Sequence, residues 1–320
     1  MAAELIDGRA IARALKDEVV REVKQIREDG TSCGLAVVMV GEGYSAGAYE
    51  RRLCRLAGEL DVPYTRYSLL ETCSEAELLA LLHELNGDQA FSGILILRPL
   101  PAHIHEPAVF GALSVLKDVE AVHPENAGLL ALGTPRYVPS TAASTFHILD
   151  TWLEAQGHEL AHFYRRSSVV VVGRSANVGR PAVSLAYARQ AVVMSVDEWA
   201  SRLGRLAELT AQADVLVVAA GVPGLIRAEH LKEGAIVLDV GINPCEDPVS
   251  KKVSMVGDVD TASAGTVARA ITPVPGGIGP VTDVWLLRNT VAAARNITAA
   301  ADGVSSGSGP VNDLEMSSHE

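Results

Sequence analysis

The stretch that decides the fold runs from Val169 to Pro181 and reads Val-Val-Val-Val-Gly-Arg-Ser-Ala-Asn-Val-Gly-Arg-Pro. Four consecutive β-branched residues are typical of a parallel strand that is covered on both faces. Gly173 then permits a sharp turn, and Pro181 suits the first turn of a helix. Because backbone N–H groups at such a helix start bind anions, the stretch predicts a turn that accepts a pyrophosphate. A plain strand-to-helix turn is the alternative, since the glycine spacing departs from Gly-x-Gly-x-x-Gly.

The same alternation of strands and helices extends on both sides of this stretch. Short apolar runs predict further strands at 35–40, 64–69, 93–97, 191–196, 215–219 and 235–240. Apolar residues at helical spacing predict helices at 8–29, 45–59, 74–86, 143–155 and 282–299. Ser74, with Glu77 three residues later, predicts a capping box at the start of the third of these helices. Strands that alternate with helices in this way indicate an α/β protein built on parallel sheets.

Composition and charge exclude several classes of protein. The chain has 320 residues and a net charge of −12, which argues against duplex nucleic acid or an anionic membrane as a partner. No apolar run reaches the ~18 residues that span a bilayer, and the N-terminus lacks the features of a secretory signal. Four scattered cysteines fit a reducing compartment. We therefore expect a cytoplasmic protein.

Two further motifs have both a structural and a functional interpretation. His158-Glu-Leu-Ala-His162 matches the zinc protease signature, but a strand follows too closely for the sustained helix that this site needs. We therefore predict a solvated loop there and no metal site. The run from Ile271 to Thr282 contains three prolines and three glycines. So constrained a backbone is either a structural loop or the wall of a ligand site, and we favour the site.

Four motifs, in order and at the expected separations, resemble one known family: Gly173-Arg-Ser-Ala-Asn-Val-Gly-Arg-Pro181, Asp239-Val-Gly-Ile-Asn243, Val256-Gly-Asp-Val259 and Thr272-Pro-Val-Pro-Gly-Gly-Ile-Gly-Pro280. The family is the bifunctional methylenetetrahydrofolate dehydrogenase/methenyltetrahydrofolate cyclohydrolase, and the similarity spans residues 4–299. The resemblance implies an NAD(P)-dependent oxidoreductase of one-carbon metabolism with a tetrahydrofolate derivative as its substrate. It also implies a homodimer.

The resemblance further implies a division into two domains. Residues 1–148 would form an N-terminal α/β folate domain, completed by a C-terminal helix at 283–299 that crosses back to it. Residues 149–282 would form a Rossmann-like dinucleotide-binding domain with a doubly wound parallel sheet. Residues 301–320 are rich in serine, glycine and acidic residues, which predicts a disordered tail.

The N-terminal half departs from the family pattern where the folate chemistry lies. The family has a lysine four residues after its tyrosine, on the same helix face. This chain keeps Tyr49, but Leu53 takes the lysine position. The family glutamine, second aspartate and cysteine are replaced by Leu97, Glu120 and Ser140. The pocket is therefore altered at several positions while the scaffold is kept.

These replacements predict unequal effects on the two family reactions. Hydride transfer needs mainly positioning, whereas hydrolysis of the methenyl cation needs proton transfers, which the resemblance assigns to the family lysine. Arg52 and Arg98 could restore positive charge, but a guanidinium stays protonated. We predict a dehydrogenase with cyclohydrolase activity reduced or lost. The alternatives are a repurposed folate-dependent or one-carbon enzyme of specialised metabolism, and a non-catalytic paralogue that binds folate or dinucleotide.

The resemblance also assigns roles to individual residues. Tyr49 would orient the pterin, and Glu120 would bind its amino-pyrimidine edge. Further substrate contacts are expected from Arg52, Arg98, Pro273, Gly276 and Gly277. Dinucleotide contacts are expected from Gly173, Arg174, Ser175, Gly179, Asp197, Ile242 and Thr282.

The residues after the second Rossmann strand bear on the choice of dinucleotide. The family often has Cys-His-Ser there, whereas this chain has Val196-Asp-Glu198. An acidic side chain suits the free ribose hydroxyls of NAD and repels the 2′-phosphate of NADP. Arg174 has the opposite effect, because it could pair with that phosphate. Asp197 could also simply cap the next helix. The sequence favours NAD, with NADP as the alternative.

Overall fold

A computed structural model describes residues 2–41, 43–246 and 253–303. Most of the tail predicted at 301–320 therefore lies outside the described residues. The strands are β1 (Glu4–Leu5), β2 (Leu35–Val40), β3 (Tyr64–Leu69), β4 (Gly93–Ile96), β5 (Ser168–Val172), β6 (Val192–Val196), β7 (Val215–Val218), β8 (Ile236–Asp239), β9 (Asn243–Glu246), β10 (Val253–Val256) and β11 (Ala270–Ile271). The α-helices are α1 (Gly8–Glu28), α2 (Tyr44–Glu59), α3 (Glu75–Gly87), α4 (Glu106–Gly111), α5 (Pro124–Ala131), α6 (Ser140–Ala155), α7 (Leu160–Arg165), α8 (Gly179–Ala188), α9 (Glu198–Arg202), α10 (Leu206–Thr210), α11 (Thr261–Ala264) and α12 (Ile278–Ala301).

The chain divides into two compact units, each assembled from separate segments. The first unit, called the six-stranded unit after its sheet, comprises Met1–Arg13 and Thr141–Thr282. The second, called the three-stranded unit, comprises Ala14–Ser140 and Asp283–Glu320. This division differs from the expected domains, 1–148 and 149–282, chiefly at the N-terminus. There β1 pairs in parallel with β11, so the first residues belong to the six-stranded unit. Backbone pairing between such distant segments leaves no local signal in the sequence.

The sheet of the six-stranded unit is parallel and has the strand order β1-β11-β8-β7-β5-β6. The order reverses at β5, because β6 lies on one side of it and β7 on the other. Val172 pairs with both Val196 and Val218, and Val218 pairs with Asp239, so these strands end at one level. In doubly wound sheets, ligands bind at the carboxyl ends of strands where the order reverses. This edge is therefore the candidate ligand site.

The three-stranded unit contains a parallel sheet in the order β3-β2-β4. Every residue of the central strand β2 is buried. The side chains on one face of β2, Ala36, Val38 and Val40, share one core with apolar residues of α3 and α4. Ser74 caps α3 in a capping box with Glu77, as the sequence predicts. Residues 97 and 98 follow the carboxyl end of β4, where the expected folate site begins.

Several predicted elements are confirmed, and one expectation is wrong. The predicted α/β architecture with parallel sheets is present, and the last helix begins four residues earlier than expected, with Pro280 in its first turn. The loop predicted at 158–162 contains the start of α7, because Glu159 accepts hydrogen bonds from the N–H groups of Ala161 and His162. No described helix is long and apolar enough to cross a membrane.

Candidate active site

Glu120 and Tyr49 form the centre of the expected folate site in the three-stranded unit. Glu120 Oε2 accepts a hydrogen bond from the Ser140 N–H at 3.3 Å, whereas its Oε1 is buried without a hydrogen-bond partner among the described residues. Burial raises the pKa of Glu120 to about 7, although the Ser140 hydrogen bonds and the Arg98 charge lower it. A buried acceptor of this kind fits a ligand that donates an N–H group.

Tyr49 lies on α2 within electrostatic range of Glu120. Burial, followed by the charges of Glu120 and Asp283, raises the pKa of the Tyr49 hydroxyl well above its ordinary value. The hydroxyl therefore stays protonated and can donate a hydrogen bond. Leu53, one helical turn further along α2, is completely buried. The position where the resemblance leads us to expect the family lysine therefore supplies an apolar side chain and no amine.

The first arginine expected in the folate site, Arg52, is engaged by a carboxylate. It donates to both carboxylate oxygens of Asp283, at 2.5 and 3.0 Å, and its guanidinium lies 5.2 Å from the centroid of the Tyr49 ring. Burial raises the pKa of Asp283, while Arg52 lowers it. The pair therefore positions Arg52 beside Tyr49 but neutralises its charge.

The second expected arginine, Arg98, is also engaged. Its Nη2 lies 3.1 Å from Glu106, and its guanidinium lies 4.3 Å from the centroid of the Phe110 ring. The lysines of this unit have partners as well, namely Glu59 for Lys16, Glu28 for Lys24, and the carbonyls of Leu85 and Asp88 for Lys117. Glu120, whose pKa is raised to about 7, can change its protonation state near neutral pH.

The predicted pyrophosphate turn lies at the reversal point of the six-stranded sheet. Gly173 has a φ of +108°, and a Cβ there would lie 2.1 Å from the carbonyl oxygen of Ala219, so the position requires glycine. The Gly179 N–H donates to Ser175 Oγ at 3.2 Å, and a Cβ on Gly179 would meet the Gly173 carbonyl oxygen at 2.1 Å. Residues 174–177 between them are exposed. A tight turn whose central residues are exposed fits the pyrophosphate of a dinucleotide.

Arg174 and Asp197 are brought together where β5 and β6 end. Arg174 Nη1 donates to Asp197 Oδ2 at 2.8 Å, and its Nη2 donates to the Ser195 carbonyl oxygen at 2.8 Å. Asp197 Oδ1 accepts from the Trp199 N–H, which makes Asp197 the N-cap of α9. The Asp197 carboxylate therefore caps α9 with one oxygen and pairs with Arg174 through the other.

Two buried aspartates within the recognised motifs organise the neighbouring loops. Asp258 Oδ2 accepts from the N–H groups of Ala220 and Gly221, at 2.6 and 2.8 Å, and its Oδ1 accepts from Asn243 Nδ2 at 2.8 Å. Asp239 accepts from the N–H groups of Gly241, Asp258 and Val259. Burial raises the pKa of Asp239 to about 6, while these backbone donors lower it. The motifs therefore hold the loop after β7 in place.

The proline- and glycine-rich run packs on the first turn of α1 within the six-stranded unit. Gly276 has a φ of +112°, and a Cβ on Gly8 would lie 1.9 Å from the Gly277 carbonyl oxygen. Ile242, 57% exposed, lies near Gly279 at the start of α12. The Thr282 hydroxyl donates to the Ile278 carbonyl at 3.2 Å. The carbonyl oxygen of Pro273, the first proline of the run, accepts a hydrogen bond from the Gly277 N–H at 2.7 Å.

The expected site residues fall into two sets, one in each unit. The six-stranded unit gathers its set at the carboxyl edge of the sheet, and the three-stranded unit gathers Tyr49, Arg52, Arg98 and Glu120. Sequence reasoning missed Asp283, which is 231 positions from its partner Arg52 and gives no local signal. The structural role of Asp258 also has no local signal, because its partners Ala220, Gly221 and Asn243 lie 15 to 38 positions away. The described residues include no cluster of three or more metal-ligating side chains.

Comparison with known proteins relates both halves of the chain to one family. Residues 6–120 match the catalytic domain, and residues 139–298 the NAD(P)-binding domain, of the tetrahydrofolate dehydrogenase/cyclohydrolase family. A curated relative, bifunctional protein FolD 3 of Rubrobacter xylanophilus, is 57% identical over 94% of this chain and 95% of that protein. FolD of Zymomonas mobilis is 41% identical over 93% of this chain and 98% of that protein.

Solved structures show the same relationship. Trypanosoma brucei methylenetetrahydrofolate dehydrogenase-cyclohydrolase, solved with NADP and an inhibitor, has a TM-score of 0.84 at 34% identity and covers 93% of this chain and 99% of its own. The FolD enzyme of Campylobacter jejuni has a TM-score of 0.83 at 34% identity, covering 92% of this chain and 100% of its own. The chain therefore belongs to the NAD(P)-dependent methylenetetrahydrofolate dehydrogenase/cyclohydrolase family of enzymes.

Proposed function

We propose that this protein oxidises 5,10-methylenetetrahydrofolate to 5,10-methenyltetrahydrofolate and has reduced cyclohydrolase activity. The observation that carries the proposal is the buried Oε1 of Glu120, which has no hydrogen-bond partner in the part of the chain that the structure describes. In the same site, a buried Leu53 takes the expected lysine position. Glu120 accepts the N–H groups of the pterin edge, and Tyr49 orients the ring. Gly276 and Gly277 let the substrate approach the backbone.

The oxidation requires little of the protein beyond binding and orientation. A C–H bond of the methylene carbon breaks, and the resulting positive charge is shared between the two flanking nitrogens of the folate. When bound, NAD(P)+ supplies the acceptor for the hydride. The turn at Gly173, Arg174, Ser175 and Gly179 binds the pyrophosphate, and no side chain has to move a proton. Loss of the lysine is therefore compatible with this step.

Hydrolysis of the methenyl cation makes different demands. Water must add to the methenyl carbon, and the added water must lose a proton, before the ring opens. Leu53 can neither orient the water nor accept its proton. Arg52 and Arg98 are both paired with carboxylates. Glu120 is expected to bind the pterin edge, which lies away from the methenyl carbon. None of these side chains therefore replaces the lysine amine, and we expect slow hydrolysis.

Two separate assays test this proposal. The purified protein is given methylenetetrahydrofolate with NAD+ or NADP+, and formation of the reduced dinucleotide is followed by absorbance. In the second assay, decay of added methenyltetrahydrofolate is compared with its decay in buffer. No reduction of either dinucleotide would contradict the dehydrogenase and favour a repurposed or non-catalytic protein. Methenyl decay as fast as the oxidation would contradict the reduced cyclohydrolase.

Restoring the lost side chains should restore hydrolysis. We expect the double variant Leu53→Lys, Leu97→Gln to hydrolyse methenyltetrahydrofolate about tenfold faster, because the amine can transfer protons. Leu53→Met with Leu97→Gln is the matched control, since methionine has a similar volume and no amine. Circular dichroism confirms that each variant is folded. A folded lysine variant that is no faster than the methionine control would show that the lysine position does not limit hydrolysis.

The dinucleotide side supports a preference for NAD. The Arg174 guanidinium is held by Asp197 and by the Ser195 carbonyl, so its charge is balanced before any ligand arrives. The Asp197 carboxylate repels a 2′-phosphate and suits a ribose hydroxyl. We therefore propose that NAD is the better cofactor and NADP the poorer one.

Removing this carboxylate should move the preference towards NADP. In Asp197→Ser, Arg174 is free to pair with the 2′-phosphate, and we expect the KM for NADP+ to fall about tenfold. The control is Glu208→Gln, which removes an exposed carboxylate paired with Arg205 in the same unit. Steady-state kinetics with both dinucleotides measures the ratio. An unchanged NADP+ to NAD+ ratio in Asp197→Ser would rule out this carboxylate as the selective group.

The homodimer implied by the resemblance and the cytoplasmic location expected from the sequence also stay predictions. Sedimentation equilibrium of the purified protein tests the first, and fractionation of the cells that make it tests the second.

A further inference from the structure

We propose that Trp199 stacks against the adenine base of the bound dinucleotide. The inference rests on the proposed use of NAD(P) and adds the residue that contacts the base. Trp199 lies in the first turn of α9, directly after β6, and its side chain is 56% exposed. The indole therefore presents a large apolar surface to solvent at the sheet edge where ligands bind. A flat heterocyclic base would cover it.

Asp197 places the indole close to the expected ribose position. The Oδ1 atom of Asp197 accepts a hydrogen bond from the backbone N–H of Trp199 at 3.1 Å, and its Oδ2 atom accepts one from Arg174 at 2.8 Å. Two residues of chain span at most ~7 Å. In a dinucleotide, the adenine is attached to the ribose carbon next to the one that carries the 2′-hydroxyl. A ribose held by Asp197 therefore brings the base within reach of Trp199.

A neighbouring cation helps to orient the ring. The Arg202 guanidinium lies 5.0 Å from the centroid of the Trp199 ring, and its Nη2 pairs with Glu198 at 3.1 Å. This cation–π contact is made on one face of the indole. A base on the opposite face would complete a layered arrangement of guanidinium, indole and adenine. Such stacking tolerates either dinucleotide, because NAD and NADP carry the same base.

ADP-ribose is the probe for this site, because it carries adenine, ribose and diphosphate without nicotinamide. Titrated into the wild-type protein, it should quench tryptophan fluorescence, and Trp199→Phe should remove that quenching. Trp199→Ala should raise the Kd of ADP-ribose about 10-fold, equivalent to about 1.4 kcal/mol. Trp199→Phe should raise the Kd less, since phenylalanine keeps an aromatic ring.

Two comparisons make the result specific. Leu203→Ala removes another exposed apolar side chain at the end of α9 and should leave the Kd unchanged. Reduced nicotinamide mononucleotide should bind the wild type and Trp199→Ala equally well. Equal affinity of these two proteins for ADP-ribose would overturn the stacking role alone. No binding of ADP-ribose to the wild type would overturn both the stacking role and the proposed use of a dinucleotide.

Discussion

Replacing Glu120 with glutamine should lower kcat/KM for methylenetetrahydrofolate about 100-fold. One buried carboxylate oxygen has no partner within residues 2–41, 43–246 and 253–303, and the other accepts from Ser140. The carboxylate is therefore prepared to accept N–H donors from the pterin. Hydrogen bonds to a charged acceptor each contribute about 1.5–3 kcal/mol. Glutamine loses the charge and presents an NH₂ group to the same donors. Steady-state kinetics with saturating dinucleotide measures the loss.

The wild-type pH profile should carry the signature of the same carboxyl group. Burial raises its pKa to about 7, Asp118 raises it further, and Ser140 and Arg98 lower it. Because the ionised form accepts the pterin N–H groups, protonation removes binding. The KM for the folate should therefore rise about tenfold between about pH 8 and about pH 6. This rise should be absent in Glu120→Gln.

The control for Glu120 is an exposed carboxylate of the same unit. Glu125 pairs with Arg136 at 2.9 Å on the surface, and Glu125→Gln should leave both the folate KM and its pH profile unchanged. If Glu120→Gln keeps the wild-type folate KM, Glu120 does not bind the pterin edge.

Replacing Asp258 with asparagine should destabilise the six-stranded unit by about 3 kcal/mol. Both carboxylate oxygens accept hydrogen bonds, from Ala220 and Gly221 on one side and from Asn243 on the other. An amide has one acceptor oxygen, so its NH₂ group must face buried donors on one side. Each buried donor left without a partner costs about 1–3 kcal/mol. Urea denaturation at neutral pH measures the loss.

Asp258→Asn should also weaken dinucleotide binding. Gly173 packs against the loop that contains Ala219, Ala220 and Gly221. Asp258 accepts hydrogen bonds from Ala220 and Gly221, so its loss should displace this loop and disturb the turn at Gly173. Asp260→Asn is the matched control, because Asp260 caps α11 and asparagine caps a helix as well as aspartate does. If the two variants are equally stable, the hydrogen bonds of Asp258 contribute little.

Local patterns predicted most of the fold, and long-range pairing accounts for what they missed. The β-branched run before Gly173 and the capping box of α3 are signals contained within a few residues, and both structures are present. The pairing of β1 with β11 joins segments more than two hundred residues apart. The sequence patterns also did not predict the antiparallel pair of β9 and β10. These strands form a separate two-stranded sheet and are mostly exposed, so they lack the apolar run that marks a buried strand.

The candidate site shows the same limit. The motifs located the glycine turn and the carboxyl edge of the sheet, because backbone constraints leave glycine and proline in the sequence. They did not show that Arg52 and Arg98 are balanced by Asp283 and Glu106, since a surface of paired charges looks the same in sequence as one of free charges. The electrostatics of the site therefore required coordinates.

The segmented construction of both units has a consequence for biosynthesis. The edge strand β1 is made first, but its partner β11 is made more than two hundred residues later. The three-stranded unit also needs α12, which is synthesised last among its helices. The Asn289 side chain of α12 donates to the carbonyls of Val119 and Val138. On the ribosome, neither unit can complete its folding until nearly the whole chain has emerged. A prematurely released nascent chain therefore exposes core surface and becomes a client of chaperones and proteases.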